Sequence, residues 1–441
     1  MSKTILFFLT LLSINSYGQK SHSIENIDAI NPFYTQLEIL ELGAVEKVRI
    51  THIGDSHIQA DFFTGRMREN FQNIYGNAGL GFSFPYKLAK TNGNTSIKYT
   101  SNTKFNTTRN VFATTKMPVG LSGYAFSTKK INTALKMRMK KDSLGNTITV
   151  LCNNPASLSF ANYNSKKDFN KFIPKKSTKI HRVKKGEYLD KISKKHKVSI
   201  KSIQKLNRLK GTNIYENQRL KIPTKEVVRV IVKPTDFTVL SSEYTNDYVK
   251  FTSTESIKEM YLFSKNETKN LALYGFILEN KYHGVVYNSI GINGAKCTDF
   301  TKFPLFLKQL SYLKSDLIII SLGTNESFDK LNESKFIERF LNLITSIKKE
   351  NSSVSILVTT PPASLFNRKK KNPFIEKYIK KIKENMFVYN YAVWDLYAAF
   401  GGHERILQNY KNKLMAKDKI HYTKKGYEQQ ADLLFKDLVN K

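Results

Sequence analysis

The run Leu317-Ile318-Ile319-Ile320-Ser321-Leu322 is apolar at five of six consecutive positions, and it limits the possible folds more than any other feature of the chain. A strand with one wet face alternates apolar and polar side chains, so an unbroken apolar run this short belongs to a strand covered on both faces. Similar runs occur at 285–290 and 355–360, and 387–389 reads as a further strand. Between them, 304–313 and 336–347 carry helical spacing. At the end of the chain Tyr427, Ala431, Leu434 and Leu438 follow Thr423, a plausible N-cap. Strands alternating with helices imply an α/β domain built on a parallel sheet.

An earlier stretch has the same character. Residues 48–53 read as a strand, and Phe63, Met67, Phe71 and Ile74 recur at helical spacing until Gly76-Asn77 stops them. The two α/β stretches, before about residue 85 and after about 271, are expected to form one interrupted domain. From 94 to 163 the chain is Thr-, Asn- and Ser-rich, with strand candidates at 96–99, 123–126 and 147–151, and β character resumes at 227–232. Residues 179–224 differ from both neighbours and read as an insertion within the β-rich region. With 441 residues, two or three domains are expected.

Residues 1–18 read as a signal peptide: Lys3 supplies the positive start, 5–12 the apolar run, and Ser16-Tyr17-Gly18 a small-x-small cleavage site. The run is too short to span a bilayer, and no later segment is long and apolar enough, so the mature chain is expected to be soluble, outside the cytoplasm, with no transmembrane segment. The formal net charge of +35, from 71 Lys+Arg against 36 Asp+Glu, favours anionic partners. Lysine is spread along the whole chain, and no helix-turn-helix, zinc-finger or stacking-platform pattern accompanies it, which disfavours nucleic acid. Cys152 and Cys297 allow at most one disulfide, and their pairing stays open.

Two distant motifs carry chemistry. Gly54-Asp55-Ser56-His57 sits in a strand–turn–helix context, and Asp418-Lys419-Ile420-His421 lies near the other end. A serine hydroxyl is a weak nucleophile until a base takes its proton, and an imidazole works best when a carboxylate orients it. Of the eight histidines, His421 alone has an aspartate three residues before it together with a helix start after it. No histidine pair at helical spacing and no cysteine ligand pattern occurs, so neither a metal nor a cofactor is expected. The absence of Gly-x-Ser-x-Gly argues against an α/β-hydrolase elbow.

Taken in order, Gly54-Asp55-Ser56, Ile290-Gly291-Ile292-Asn293-Gly294-Ala295, Ile320-Ser321-Leu322-Gly323-Thr324-Asn325-Glu326 and Asp418-Lys419-Ile420-His421 resemble the blocks of the SGNH/GDSL hydrolases, with His57 where many members have leucine. The resemblance implies a flavodoxin-like three-layer α/β sandwich and an acyl-enzyme mechanism. Ser56 would be the nucleophile, His421 the general base and then acid, and Asp418 the orienting carboxylate. The oxyanion donors would be the Ser56 and Gly294 backbone N–H groups and the Asn325 side-chain amide. Asp55 is expected to support the turn, Glu326 to brace the third block, and His57 to be a structural or pocket residue.

Residues 180–223 resemble a LysM repeat, through His181 to Leu189, Ile192 to His196, Ile203-Leu206-Asn207 and Gln218 to Pro223. A βααβ order and binding of N-acetylglucosamine-containing glycans follow from that resemblance. Two departures, Glu187-Tyr188 for the usual Asp-Thr and Glu216-Asn217 for the usual Pro-Gly, fall in the loops expected to contact sugar. The expected organisation is a signal peptide at 1–18, hydrolase segments at 19–93 and 266–441, a β-rich, jelly-roll-like domain at 94–178 and 225–265, and the LysM-like insertion at 179–224. Tyr99, Tyr124, Phe126 and Tyr163 could stack on sugars or serve as core. Together these features point to an exported esterase that removes O-acetyl groups from cell-wall glycan, most plainly peptidoglycan. The alternatives are an esterase or acetyltransferase on another polysaccharide, and a non-catalytic wall-binding scaffold.

Overall fold

Apolar side chains on both faces of the short strands drive them into the centre of the first unit. In the computed structural model, which describes residues 24–112, 118–166, 172–174, 177–224, 227–229, 232–264 and 271–440, five parallel strands lie in the spatial order Gly284–Gly291, Lys47–Gly54, Leu317–Ser321, Ser355–Thr359 and Ala392–Trp394. The expected signal peptide at 1–18 lies outside the described residues. On one face Val48, Ile50, Tyr287, Leu317, Ile319, Leu357 and Trp394 of the strands join a core with Phe33, Met67, Phe71 and Leu434 from the covering helices. Ile318, Ile320, Ile356 and Val358 point the other way and are equally buried. Polar His52 is tolerated in an interior strand because Tyr287 Oη and Ser321 Oγ bond its two ring nitrogens at 3.0 and 2.6 Å.

Helix ends follow local chemistry. Thr423 accepts from the Gly426 N–H and caps Lys424–Val439, as its position predicts. Phe62–Tyr75 buries Phe63, Met67 and Phe71, while Ile74 is 58% exposed, so the apolar stripe is one residue shorter than the spacing suggested. The strand expected at 387–389 is corrected. Helix Phe374–Asn385 runs to its edge, Phe387 and Val388 are 69% and 80% exposed, and Asn390 turns the chain at φ 50°, so only Ala392–Trp394 reaches the sheet.

The second unit covers Gly79–Lys281. Two antiparallel sheets pack face to face through pairs such as Tyr99 with Phe276 and Phe160 with Phe251. Its limits differ from the expected 94 and 265. Gly81–Ser83 pairs with Leu271–Glu279, which also pairs antiparallel with Thr147–Cys152 and Tyr124–Thr128. Leu271–Glu279 looks like an α/β strand in sequence because it is buried on both faces inside a sheet of the β-rich unit. Tyr99, Tyr124 and Phe126 are buried core, and Tyr163 packs against a cluster around Phe237 and Tyr261. Cys152 and Cys297 are both buried and free.

Within this unit Thr178–Arg182 pairs antiparallel with Arg219–Pro223, and helices Leu189–His196 and Ile200–Asn207 stand between them in the chain. Val183, Leu189, Ile192, Ile203, Leu220 and Ile222 form their core. The two departures have local accounts. Glu187 accepts from the Lys184 N–H and His181 Nε2 at 2.9 and 2.7 Å, and Asn217, in the left-handed region at φ 65°, is a residue type that tolerates it. The strand expected at 227–232 is seen at Val227–Arg229, and 230–231 lie outside the described residues. Among the described residues no helix is long and apolar enough to cross a membrane.

Candidate active site

The turn that carries Ser56 is built by close backbone approach. Lys47–Gly54 ends at a glycine whose added Cβ would stand 2.4 Å from Ile58 Cγ1 and 2.9 Å from the Ser321 carbonyl oxygen. The next residue, Asp55, caps the short helix Ser56–Gln59 by accepting from the His57 N–H at 2.9 Å. Ser56 is thereby the first residue of a helical turn, where backbone N–H groups have no intrahelical partner. Gln59, which the sequence did not single out, is buried and accepts from the Asn293 N–H, tying this turn to the block after Gly284–Gly291.

The side chains expected to act together come from distant parts of the chain and meet in the structure. Ser56 Oγ lies 2.9 Å from His421 Nε2 across 365 residues, and His421 Nδ1 lies 2.8 Å from Asp418 Oδ2. Asp418 Oδ1 also accepts from the Ile420 and His421 N–H groups at 2.9 and 3.0 Å. Partial burial pushes the Asp418 carboxyl up, yet the His421 ring and the two amides outweigh it and hold the group below its ordinary range. A carboxylate can only accept, so the proton of a neutral His421 belongs on Nδ1 and Nε2 is left to accept from the Ser56 hydroxyl. The His421 and Asp418 side chains are each 38% exposed, so the pair opens to solvent.

Block two and block three meet the Ser56 turn through Asn325. Its Nδ2 donates to the Ala295 carbonyl at 2.9 Å and to Asp55 Oδ2 at 3.2 Å. Gly294 holds φ +80° in the turn before Ala295, with open space where a Cβ would lie. Glu326 is buried and accepts from the Cys297 N–H at 2.8 Å, which fastens the third block to the second. Burial pushes the Asp55 carboxyl up to about 7, with the charge of Glu326 adding to the effect and the His57 amide opposing it. His57 Nδ1 is 2.9 Å from the hydroxyl of Tyr427, a contact its place on a helical stripe did not foretell. Burial, with the nearby His421 adding to it, lowers His57 to about 3. Among the described residues no cluster of three or more histidine, cysteine, aspartate or glutamate side chains could hold a metal ion.

Residues 262–429 match the model of the GDSL-like lipase/acylhydrolase family, and residues 181–223 match the LysM domain. The first match contains Gly294, Asn325, Asp418 and His421, while Ser56 precedes the inserted unit and lies outside it. Among solved structures, a peptidoglycan O-acetylesterase shares the fold with a TM-score of 0.65 at 17% identity, covering 93% of this chain and 95% of that one. A lipase/acylhydrolase from Enterococcus faecalis is 23% identical, covers 35% of this chain and 76% of its own, and has a TM-score of 0.29. A curated relative, "Probable N-acetylmuramoyl-L-alanine amidase AmiB" of Haemophilus influenzae, is 29% identical over 160 residues, 36% of this chain and 34% of that protein. The chain therefore spans about a third of the length of the curated relative it matches.

Proposed function

We propose that this chain, which carries a GDSL-like lipase/acylhydrolase domain and a LysM domain, is an exported serine esterase that removes O-acetyl groups from cell-wall glycan, with peptidoglycan as the substrate. The observation that carries the proposal is the unbroken Ser56–His421–Asp418 chain of contacts at 2.9 and 2.8 Å. A fold shared over most of its length with a peptidoglycan O-acetylesterase supports the substrate class, as does the LysM domain. The exposure of His421 and Asp418 suits a polymeric ester, which could not enter a closed cavity.

In this mechanism His421 Nε2 takes the proton as Ser56 Oγ attacks the acetyl carbonyl. The sugar oxygen leaves with that proton, and water, activated by the same imidazole, releases acetate from Ser56. Asp418 stays ionised throughout and stabilises the imidazolium. Negative charge on the tetrahedral oxygen is met by the Ser56 and Gly294 N–H groups and by Asn325. Asn325 exchanges its longer contact, at 3.2 Å to Asp55, for the oxyanion and keeps the 2.9 Å bond to Ala295.

The direct test is acetate release from purified O-acetylated peptidoglycan, with de-O-acetylated material as the blank. Ser56→Ala should abolish release while leaving wall binding in place. Undiminished release from that variant rejects the assignment, and release that appears only with a sugar acceptor makes the enzyme a transferase.

A further inference from the structure

On the outer face of the five-stranded antiparallel sheet in the β-rich unit, we infer a binding groove for an acidic glycan, one whose carboxylates are read by Lys98, Lys136, Arg138 and Lys140. The inference rests on the wall-glycan proposal for the sugar polymer and on this groove for its charge.

The pattern begins in the strands. Ile97–Ser101 is an edge strand, and it pairs antiparallel with Ala134–Met139 so that Lys98 faces Arg138 and Thr100 faces Lys136. Ile97, Tyr99, Leu135 and Met137 point inward and are buried. Lys98 and Arg138 therefore point outward together, exposed, and Thr100 and Lys136 lie beside them. Directly opposed side chains have Cβ atoms only about 4.5–5.5 Å apart, and like charges there destabilise the sheet. A lysine on an edge strand discourages edge-to-edge pairing. That purpose does not account for Lys136 and Arg138, which lie on an interior strand.

The residues border an open recess rather than a flat surface. Lys98, Thr100, Lys136, Arg138, Met139 and Lys140 line a cleft of about 290 Å³. Glu259, across from Arg138 on the next strand, is the acid at this face. It is engaged by Lys136 at 2.7 Å and by the Tyr261 hydroxyl at 2.8 Å, and the Lys136 ammonium lies 5.3 Å from the centre of the Tyr261 ring. Among the described residues Lys98, Arg138 and Lys140 have no ion-pair partner within 4.0 Å. A cleft in which four cations share the single carboxylate of Glu259, carrying a planar guanidinium that takes carboxylates in two-pronged fashion, has the complement of a polymer bearing carboxylates at intervals. Peptide-substituted wall glycan has that character, and a neutral polysaccharide does not.

The test compares binding of the full chain carrying Ser56→Ala to soluble glycan strands with intact stem-peptide carboxylates and to the same strands after carbodiimide amidation. The parent should prefer intact strands, and the preference should fade as salt is raised. Lys98→Gln with Arg138→Gln should cut affinity for intact strands about tenfold and remove the preference. Lys369→Gln with Lys370→Gln, an equal loss of charge on the hydrolase unit, should leave both in place. Equal losses in the two double variants, or a preference that survives Lys98→Gln with Arg138→Gln, overturn the groove alone. Failure of the parent to bind either strand rejects the wall-glycan proposal along with it. Both groove residues are exposed, and unchanged circular dichroism would verify that the variant folds.

Discussion

The rings of His57 and His421 stand 5.2 Å apart, centre to centre, yet it is His421 that hydrogen-bonds the Ser56 hydroxyl, while His57 bonds Tyr427. Burial holds His57 neutral down to about pH 3, whereas the unfolded chain protonates it near 6.5. Between those values the unfolded state binds the extra proton, so His57 contributes stability that is complete above 6.5 and is lost as pH falls. Each such group changes unfolding free energy by about 1.4 kcal/mol per pH unit in that window. Fully buried His52 acts in the same direction, and Asp55, raised to about 7, acts in the opposite one. His57→Leu should therefore flatten the acid side of the stability curve relative to the parent, measured by denaturant unfolding at pH 6 and pH 5. Because His57 stays neutral where the enzyme works, the acid limb of kcat/KM should not move. An unchanged stability slope would place the imidazole in contact with solvent.

Arg68 and Asp61 make a buried ion pair, with side chains 8% and 7% exposed and two parallel bonds at 3.0 and 3.1 Å. Arg68 Nε also donates to the Tyr287 carbonyl at 3.0 Å, fixing the helix Phe62–Tyr75 against the sheet. Asp61→Asn keeps a side chain that tolerates the left-handed φ of 59° but removes the charge. The buried guanidinium left behind should cost about 3–5 kcal/mol. Urea unfolding should give a lower midpoint at an unchanged slope, and a loss below about 1 kcal/mol would mean that water reaches the pair.

Asn325→Ala separates transition-state stabilisation from assembly of the site. If the amide meets the oxyanion, kcat should fall about 100- to 1,000-fold with little change in KM. Were Asn325 merely a tie between Asp55 and Ala295, the thermal midpoint would drop and kcat would recover on cooling. Steady-state kinetics on a chromogenic acetate ester at two temperatures distinguish the two cases.

Much of this arrangement is legible because it is local. Leu317–Ser321 and Lys47–Gly54 declare buried strands by composition, and Thr423 announces the helix start that follows it; Asp55, expected to support the turn, does so by capping the short helix after it. Leu271–Glu279 misleads because an apolar run records burial on both faces and not the direction of its neighbours. Phe387 and Val388 mislead in reverse, being apolar and strand-like yet stranded on a turn. At the site, Ser56 and His421 become partners through the family resemblance, since no periodicity links residues 365 apart. Gln59 and the Tyr427 hydroxyl stayed hidden because their partners, Asn293 and His57, are chosen by tertiary packing.

Gly291 offers the sharpest test of how the nucleophile turn is held. It pairs in register with Gly54 across the parallel strands Gly284–Gly291 and Lys47–Gly54. A Cβ there would stand 2.1 Å from the Gln59 nitrogen, 2.4 Å from its Cα and 2.5 Å from the Ile58 carbonyl carbon, all backbone atoms that cannot swing aside. Gly294 is the contrasting case: a Cβ would meet nothing within 4 Å, and the φ of +80° is the cost of any substitution. Gly291→Ala should therefore displace the helix Ser56–Gln59 and cost about 1–3 kcal/mol by overpacking. It should also slow labelling of Ser56 by a serine-directed inhibitor far more than Gly294→Ala does. Labelling needs the hydroxyl, the imidazole and the oxyanion donors in place, so labelling of Gly291→Ala at the parent rate would show that the turn does not depend on this contact.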